Sequence, residues 1–160
     1  MADPPNRMIR CRTLHGREEE VFAGALRFRP ACYGVAIDAN GRVLLARSVF
    51  HRLWELPGGG IEPWETLPEG LAREFAEETG VRPVVEEPLG FDEGFITFFR
   101  HAFHSLRFFF RVRMPEDAAL RPQPREVADL AWRPIAELRD AELVPGHLRF
   151  IGIATGAAEG

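Results

Sequence analysis

The sequence predicts an α/β (α+β) fold, in which strands and helices are interleaved along one chain. Three observations indicate this class: short apolar runs rich in β-branched and aromatic residues, a segment with clear helix start and stop signals, and a weaker helical segment near the end. Interleaved elements of this kind form a sheet with helices packed against it. A chain of 160 residues can bury one core, so we expect a single domain over residues 1–160.

The first predicted strands follow a polar lead-in. Residues 1–25 carry no strong pattern, so their order is uncertain, and we expect a loose or edge-attached segment. Further on, ACYGVAID is rich in strand-forming residues, DANG supplies turn residues and RVLLARS resumes an apolar run. Together these predict a β-hairpin. The hairpin leads into WELPGGGIEPWE, a loop dense in Gly and Pro.

The second half of the chain contains further strand-like runs. We expect strands at 84–91, 106–114 and 127–132, because apolar and aromatic residues dominate there. The Pro-rich residues 114–126 are typical of a surface loop. Residues 145–153 predict a short closing helix.

A central helix is predicted over residues 67–79. Thr66 followed three residues later by Glu69 forms a capping box, and Pro68 is tolerated in a first turn. Gly80 then supplies a residue that readily adopts the left-handed conformation in which helices end. The helix therefore has local signals at both ends.

This helix carries three closely spaced acids. At roughly 100° per residue, Glu74, Glu77 and Glu78 share about one quarter of the helix circumference. Like charges at this spacing repel by about 0.2–0.5 kcal/mol a pair. The same wheel puts apolar side chains at roughly 20°, 60° and 100° from Glu74, namely Leu67, Leu71 and Phe75. The acidic strip therefore runs into the apolar stripe.

Two explanations of the acidic strip remain open at this point. Acidic helix faces are often simply solvated, but such a face should lie opposite the leucines. Glu77 and Glu78 also lie in the last turn, where the helix dipole disfavours acids by about 0.3–1 kcal/mol each. A bound cation would offset both costs, and clustered carboxylates suit Mg²⁺ or Mn²⁺.

Composition and charge exclude several classes of protein. The net charge of −4 argues against a surface for nucleic-acid polymers, and no apolar run is long enough to span a membrane. The first 20 residues lack the apolar segment of a signal peptide, so we expect a cytoplasmic protein. Cys11 and Cys32 are too few for a disulfide framework and are expected to be reduced thiols.

Residues 59–81 read GGIEPWETLPEGLAREFAEETGV, which resembles the signature of the Nudix hydrolase family, G-x5-E-x7-R-E-U-x-E-E-x-G-U, where U is a bulky apolar residue. Every fixed place is filled, by Gly59, Glu65, Arg73, Glu74, Phe75, Glu77, Glu78, Gly80 and Val81. Phe75 is the loose fit, because an aliphatic residue is usual there. The resemblance extends weakly over residues 31–138.

The resemblance implies an α/β/α sandwich around a mixed β-sheet. It also implies a Mg²⁺-dependent (or Mn²⁺-dependent) pyrophosphatase that hydrolyses a nucleoside diphosphate linked to another moiety. The expected partner is therefore a small nucleotide-type molecule, and a homodimer is possible. Trp64 departs from the small residue that family members often carry at its position, so the particular substrate is not implied.

The resemblance also implies roles for individual residues. The metal would be held by Glu74, Glu77 and Glu78 together with the Gly59 carbonyl. Glu126 resembles a further acidic ligand that family members carry in a later loop. The ion pair of Arg73 with Glu65 would orient the catalytic site. Glu74 is the first candidate for the general base that deprotonates the attacking water, and the later acids Glu93 and Glu126 are the alternatives.

Substrate contacts are predicted from residue chemistry. Arg47 and Arg52 precede the glycine loop and could reach phosphate, or could be ordinary surface residues. Glycines 58–60 allow the backbone to approach phosphate or metal closely. The Phe- and His-rich residues 91–110 could stack on a base, or could build a sheet core or a dimer contact.

Two other functions are compatible with this signature. A Nudix-like module could bind a nucleotide or nucleotide sugar without turnover, although a pure binder has little reason to retain the unfavourable acidic strip. An isoprenoid-diphosphate isomerase would share the fold, but neither Cys11 nor Cys32 lies in a recognisable context for that chemistry.

Overall fold

A computed structural model describes residues 3–157. In chain order the elements are β1 Met8–Thr13, β2 Glu18–Phe22, β3 Leu26–Val35, β4 Arg42–Ser48, β5 Trp54–Glu55, β6 Gly58–Gly60, α1 Leu67–Thr79, β7 Val84–Phe98, β8 His101–Arg113, β9 Val127–Pro134 and α2 His147–Thr155. The strands form two sheets. One has six strands in the order β2-β1-β7-β8-β3-β6, and the other has three in the order β5-β4-β9.

The six-stranded sheet is mixed. Strands β3 and β8 form a parallel pair, in which Arg29 lies opposite Ser105 and Ala31 opposite Arg107. Strand β7 runs antiparallel to β8, and β6 runs antiparallel to β3. The glycine strand β6 is thereby placed at the edge of the sheet, beside β3, the strand that carries Arg29.

Two apolar clusters lie on opposite faces of β3, because successive side chains of a strand point to opposite sides. On one face, Cys32 packs with Leu71 and Phe75 of α1. On the other, Tyr33 packs with Phe150 of α2 and with residues of β4. The sheets therefore lie between the two helices, which confirms the predicted α/β/α sandwich around a mixed sheet.

The central helix has the predicted bounds. The Thr66 side chain accepts a hydrogen bond from the Glu69 backbone N–H, and the Glu69 side chain accepts one from the Thr66 backbone N–H. Gly80 ends the helix in the left-handed region, with φ 76°. Local capping signals alone were sufficient here, because both ends of the helix are fixed by neighbours in sequence.

The predicted β-hairpin forms only at its turn. Asp38 and Arg42 are joined by a backbone hydrogen bond of 2.9 Å, and Ile37 bridges Val43 in antiparallel fashion. Beyond the turn the two strands diverge, since β3 belongs to the six-stranded sheet and β4 to the three-stranded sheet. The hairpin pattern was correct locally but did not reveal the division into two sheets.

Several other elements are longer than predicted. The strands expected at 84–91 and 106–114 are the long hairpin β7–β8, and the strand expected at 127–132 extends to Pro134. The closing helix begins and ends two residues later than expected, as α2. Within the lead-in 1–25, β1 and β2 form a hairpin at the sheet edge. Residues 1–2 and 158–160 lie outside the described residues.

The two helices of the described chain are short. Neither α1 nor α2 is long and apolar enough to cross a membrane.

Candidate active site

A cavity of about 440 Å³ opens where the glycine strand, α1 and the β7–β8 hairpin meet. Acids, cations, aromatic rings and glycines line it, among them Leu14, Arg29, Tyr33, Phe50, Glu55, Gly58, Gly59, Gly60, Glu74, Glu78, Phe98, Phe99, Phe103, Ser105, Arg107 and Glu126. A concave site with a few convergent charged groups is the usual form of an active site.

Arg73 does not line the cavity itself, but it joins several residues that do. Its Nε donates to Glu65 Oε1 at 2.6 Å, and its Nη2 donates to Glu65 Oε2 at 2.8 Å. The same Nη2 donates to the Gly60 carbonyl at 3.1 Å, while Nη1 donates to Glu74 Oε1 at 2.9 Å. The hydrogen bonds from Arg73 lower the pKa of Glu65 to about 2. One guanidinium thus fixes the loop before α1, the glycine strand and a cavity acid.

Glu78 is a buried carboxylate that faces the glycine strand. Its Oε2 accepts a hydrogen bond from the Gly58 N–H at 3.1 Å. Burial raises the pKa of Glu78 well above its ordinary value, and the charges of Glu55 and Glu74 act in the same direction. Gly58 has φ 151°, and a Cβ there would lie 2.0 Å from the Cys32 carbonyl oxygen. Only glycine can therefore bring this backbone N–H so close to β3 and to Glu78.

Glu74 lies one helical turn before Glu78 and also lines the cavity. Burial raises its pKa, although Arg73 works against that effect. A Cβ added to Gly59 would lie 2.5 Å from Glu74 Oε2. The carboxylate therefore occupies the space that the missing side chain of Gly59 leaves.

Two further acids, which do not belong to α1, line the cavity together with Glu74 and Glu78. Glu55 belongs to β5, where it pairs with Ala46 of β4, and Glu126 lies in the loop before β9. The charges of both raise the pKa of Glu78. Glu77 differs from the rest, because its side chain is 54% exposed, faces Arg73 at 3.5 Å and does not line the cavity.

The residues present fit a divalent cation. Four carboxylates line one cavity, and such a group of hard oxygen ligands with mutual repulsion is the chemistry that Mg²⁺ and Mn²⁺ prefer. Over residues 3–157, no three acidic, His or Cys side chains already converge on one point. The reason lies in their present partners, since Glu74 faces the Arg73 guanidinium and Glu78 the Gly58 N–H. Binding would require these carboxylates to turn toward a common centre.

The end of the cavity away from the acids is aromatic. Phe98, Phe99 and Phe103 of the β7–β8 hairpin line it, together with Leu14 from the N-terminal hairpin. Phe99, which has a positive φ of 50°, meets Phe50 of the loop after β4 with ring centroids 4.8 Å apart. A flat apolar group of a ligand would therefore be surrounded by rings at this end.

The Phe- and His-rich region is split by strand alternation. Phe109 and Phe110 are core residues on opposite faces of the sheet. Phe91 and Phe95 are exposed on the outer face, where His104 packs against Phe95 with centroids 4.9 Å apart. Some rings of this region therefore line the cavity, others build the core and others are exposed, and base stacking stays a prediction.

Several predicted site residues lie outside the cavity. Arg47 donates through Nε to the Arg52 carbonyl at 3.0 Å, and its guanidinium lies 5.9 Å from the Trp54 ring centroid. Both arginines are exposed, and neither lines the cavity. Glu93 faces His104 at 3.5 Å on the outer side of the sheet, and Trp64 is 81% exposed.

The structure also brings residues to the cavity that sequence reasoning missed. Besides Glu55, these are Arg29 and Tyr33 of β3 with Ser105 and Arg107 of β8. Arg107 is held by Asp92 through two hydrogen bonds of 2.7 Å. The alternation of polar residues at 29, 105 and 107 with apolar neighbours was a signal that one face of each strand is polar.

Comparison with known proteins adds a family match. The family model described as NUDIX domain matches residues 27–151. The RNA pyrophosphohydrolase of Alkalilimnicola ehrlichii is 37% identical over 71 residues, which is 44% of this chain and 39% of that protein. The matched part amounts to 34% to 50% of the length of the curated relatives that the chain resembles.

Solved structures have the same fold. The MutT protein from Methanosarcina mazei Go1 has a TM-score of 0.68 at 22% identity, covering 84% of this chain and 98% of that one. The NUDIX domain of Shewanella oneidensis NrtR, solved as a complex with ADP ribose, has a TM-score of 0.65 at 26% identity, covering 83% of this chain and 88% of that one.

Proposed function

The chain belongs to the NUDIX family, and from that premise we propose that it is a Mg²⁺- or Mn²⁺-dependent pyrophosphohydrolase. Its substrate is a nucleoside diphosphate linked to another moiety, and the bond cleaved is the diphosphate anhydride. We further propose that the whole chain of 160 residues acts as one such domain, in the cytoplasm.

One observation carries this proposal: Glu74 and Glu78 line the same cavity beside Gly58 and Gly59. Burying acids that repel one another costs free energy, since burial and the neighbouring charges raise the pKa of both. A protein that only packed its core would place apolar residues there. A cation that binds between the carboxylates would offset this cost, and metal binding would then be the reason for placing acids there.

The ligands proposed for the metal are Glu74, Glu78 and Glu126, with Glu77 and the Gly59 carbonyl completing the predicted set. When bound, the divalent ion neutralises phosphate oxygens and lowers the pKa of a coordinated water. The placement of Glu55 in the cavity makes it a further candidate ligand. Glu77 is the most exposed member of the set, and Arg73 is its nearest charged neighbour.

The chain's own residues orient the reaction and move its proton. Glu74 Oε2, which lies against Gly59, is the first candidate to take the proton of the attacking water. Arg73 restrains the other oxygen of the same carboxylate and ties it to Glu65. Glu126 also lines the cavity and is the alternative base. The aromatic end would hold the nucleoside side of the substrate and exclude water from it.

A turnover screen tests this function. Nucleoside triphosphates, ADP-ribose, nucleotide sugars and dinucleoside polyphosphates are incubated with the protein and Mg²⁺, and the products are separated by anion-exchange chromatography. ADP-ribose is included because a NUDIX domain of similar structure was solved with it. A short RNA with a 5′-triphosphate is included because a relative is named RNA pyrophosphohydrolase, although the net charge of −4 makes turnover of a polymer unexpected.

The matched variants are Glu78→Gln, which removes a cavity carboxylate at nearly constant shape, and Glu116→Gln, which makes the same change at an exposed loop position. We expect at least one small nucleotide to be cleaved by wild type and by Glu116→Gln, with a loss of about 100-fold or more in Glu78→Gln. Binding without turnover on every compound would contradict the proposal and favour a module that only binds.

A further inference from the structure

Two polar side chains in the cavity have no role in the proposed metal site or in the proposed proton transfer. They are Arg29 of β3 and Ser105 of β8, which lie opposite one another in the parallel ladder. Residues opposite one another in a ladder project to the same face of the sheet. Both side chains line the cavity that also contains Glu74 and Glu78.

Arg29 is a largely enclosed cation with no carboxylate of its own. Its neighbour Arg107 is bound by Asp92, but within residues 3–157 no acidic side chain lies at ion-pair distance from Arg29. The guanidinium lies instead beside the Tyr33 hydroxyl, which raises the pKa of Arg29 and keeps it charged. Enclosed charges are normally paired, because desolvation of a lone charge is costly.

Ser105 is buried, with 2% of its surface exposed, and its Oγ has no hydrogen-bond partner among the described residues. An unsatisfied buried hydroxyl costs about 1–3 kcal/mol, so its presence calls for an explanation. Beside it on β7, a Cβ added to Gly94 would meet nothing within 4 Å. Ser105 therefore supplies an unused hydroxyl donor in the wall of the cavity.

The position of Arg29 relates this pair to the catalytic acids. A Cβ added to Gly60 would lie 3.8 Å from Arg29 Nη2, so the guanidinium borders the glycine strand. Glu74 and Glu55 lie close enough to Arg29 for their negative charges to raise its pKa. The pair thus lies between the acidic end of the cavity and the aromatic end lined by Phe103.

We propose that Arg29 and Ser105 form a phosphate clamp, which binds the non-bridging oxygens of the substrate phosphate that is joined to the group in the aromatic end. Guanidinium N–H groups and a hydroxyl O–H are donors suited to phosphate oxygens. The clamp deepens the proposed function and rests on it for the identity of the ligand as a diphosphate. Arg29 and Ser105 are binding and positioning residues, which would hold the phosphate chain beside the cavity acids.

Isothermal titration with inorganic pyrophosphate in Mg²⁺ buffer tests the clamp. The variants are Arg29→Gln, Arg29→Lys and Ser105→Ala, with Arg27→Gln as the matched control, because Arg27 is on the same strand but exposed and outside the cavity. We expect affinity to fall by about tenfold to a hundredfold in Arg29→Gln and by about threefold to tenfold in Ser105→Ala. Arg29→Lys should recover part of the loss, and Arg27→Gln should stay within about twofold of wild type.

Thermal unfolding of the same variants separates binding from folding. Ser105→Ala removes an unsatisfied hydroxyl, so its melting temperature should equal or exceed that of wild type while its affinity falls. Unchanged affinity in Arg29→Gln and Ser105→Ala, an equal loss in Arg27→Gln, or wild type that does not bind pyrophosphate would each overturn the clamp.

The pyrophosphate titration and the turnover screen test the clamp and the hydrolase separately. Turnover that is lost in Glu78→Gln, together with unaltered pyrophosphate binding in Arg29→Gln, would retain the hydrolase and remove the clamp. Selective loss of pyrophosphate binding in Arg29→Gln, in a protein that cleaves none of the screened compounds, would retain the clamp and remove the hydrolase.

Discussion

Arg73 and Glu65 are joined by two hydrogen bonds, Nε to Oε1 at 2.6 Å and Nη2 to Oε2 at 2.8 Å. Both oxygens of one carboxylate are thus bound by the fork of one guanidinium, a geometry that lysine cannot reproduce. Because the same guanidinium also binds Glu74 and the Gly60 carbonyl, the pair fixes the relative position of the helix and the glycine strand.

Replacing Arg73 by lysine should therefore lower activity more than stability. The charge remains near Glu74, but the bidentate contact with Glu65 and the contact with Gly60 are lost. We expect kcat to fall by about tenfold to a hundredfold, with a decrease of about 1–2 kcal/mol in the free energy of unfolding. Steady-state kinetics and urea titration measure the two quantities. A variant with wild-type kcat and reduced stability would show that the pair serves folding alone.

A methyl group at residue 59 should displace the catalytic carboxylate. In Gly59→Ala the new Cβ would lie 2.5 Å from Glu74 Oε2, so Glu74 must move. We expect activity to fall by about 100-fold or more, since a small misplacement of a catalytic group has effects of this size. In Gly60→Ala the nearest side-chain contact is an ordinary 3.8 Å to Arg29, so its loss should be clearly smaller. Equal kinetics in the two variants would argue against a fixed position for Glu74.

Phe75 provides a test of packing that is separate from catalysis. Its ring is fully buried and packs on β3, where a Cβ added to Gly34 would lie 3.1 Å from Phe75 Cδ2. Phe75→Leu should cost about 1–2 kcal/mol of unfolding free energy, less than the roughly 3–5 kcal/mol expected for Phe75→Ala. Urea unfolding measures both. Mn²⁺ affinity should be unchanged in Phe75→Leu, and its loss without a loss of stability would contradict this purely apolar role.

His147 predicts a decrease in stability on acidification. The imidazole is fully buried, its Nδ1 accepts from the Leu56 N–H at 3.0 Å, and burial holds its pKa well below the ordinary value. Below about pH 6.5 the unfolded chain therefore gains a proton that the folded chain does not, which costs up to about 1.4 kcal/mol per pH unit.

The pH dependence can be assigned to His147 with one variant. His147→Asn retains an acceptor for the Leu56 N–H but does not titrate. It should be less stable than wild type at pH 7.5, and the difference should shrink as the pH falls from about 6.5 toward 5. Urea unfolding at several pH values measures it. A difference that is constant with pH would mean that the buried imidazole does not control acid stability.

Local patterns predicted the parts of the fold that neighbours in sequence determine. The bounds of α1 follow from Thr66, Glu69 and Gly80, which act within a few residues of the helix ends. The hairpin around Asp38 was predicted for the same reason. The division of its two strands between two sheets could not be predicted. β3 pairs with β8 and β4 with β9, and these partners lie more than 60 positions away in sequence.

The candidate site divides in the same way. Glu74, Glu78 and Gly59 lie within one short motif, so their joint appearance in the cavity was predictable, whereas Glu77 of the same motif lies outside it. Arg29 and Ser105 meet only because β3 and β8 pair in a particular register, and a sequence pattern does not specify register between distant strands. Arg47 and Arg52 had suitable chemistry, but their backbone carries them to the outside of the three-stranded sheet.

The central claim is that the cavity acids of α1, Glu74 and Glu78, hold a divalent cation beside the glycine strand. Anomalous diffraction from crystals soaked in Mn²⁺ tests it most directly, in wild type and in Glu78→Gln. The account predicts a manganese peak about 2 Å from oxygens of Glu74 and Glu78 in wild type, and its absence or strong reduction in the variant. Wild-type crystals with no peak between these carboxylates, or with the peak at another acidic group, would contradict it.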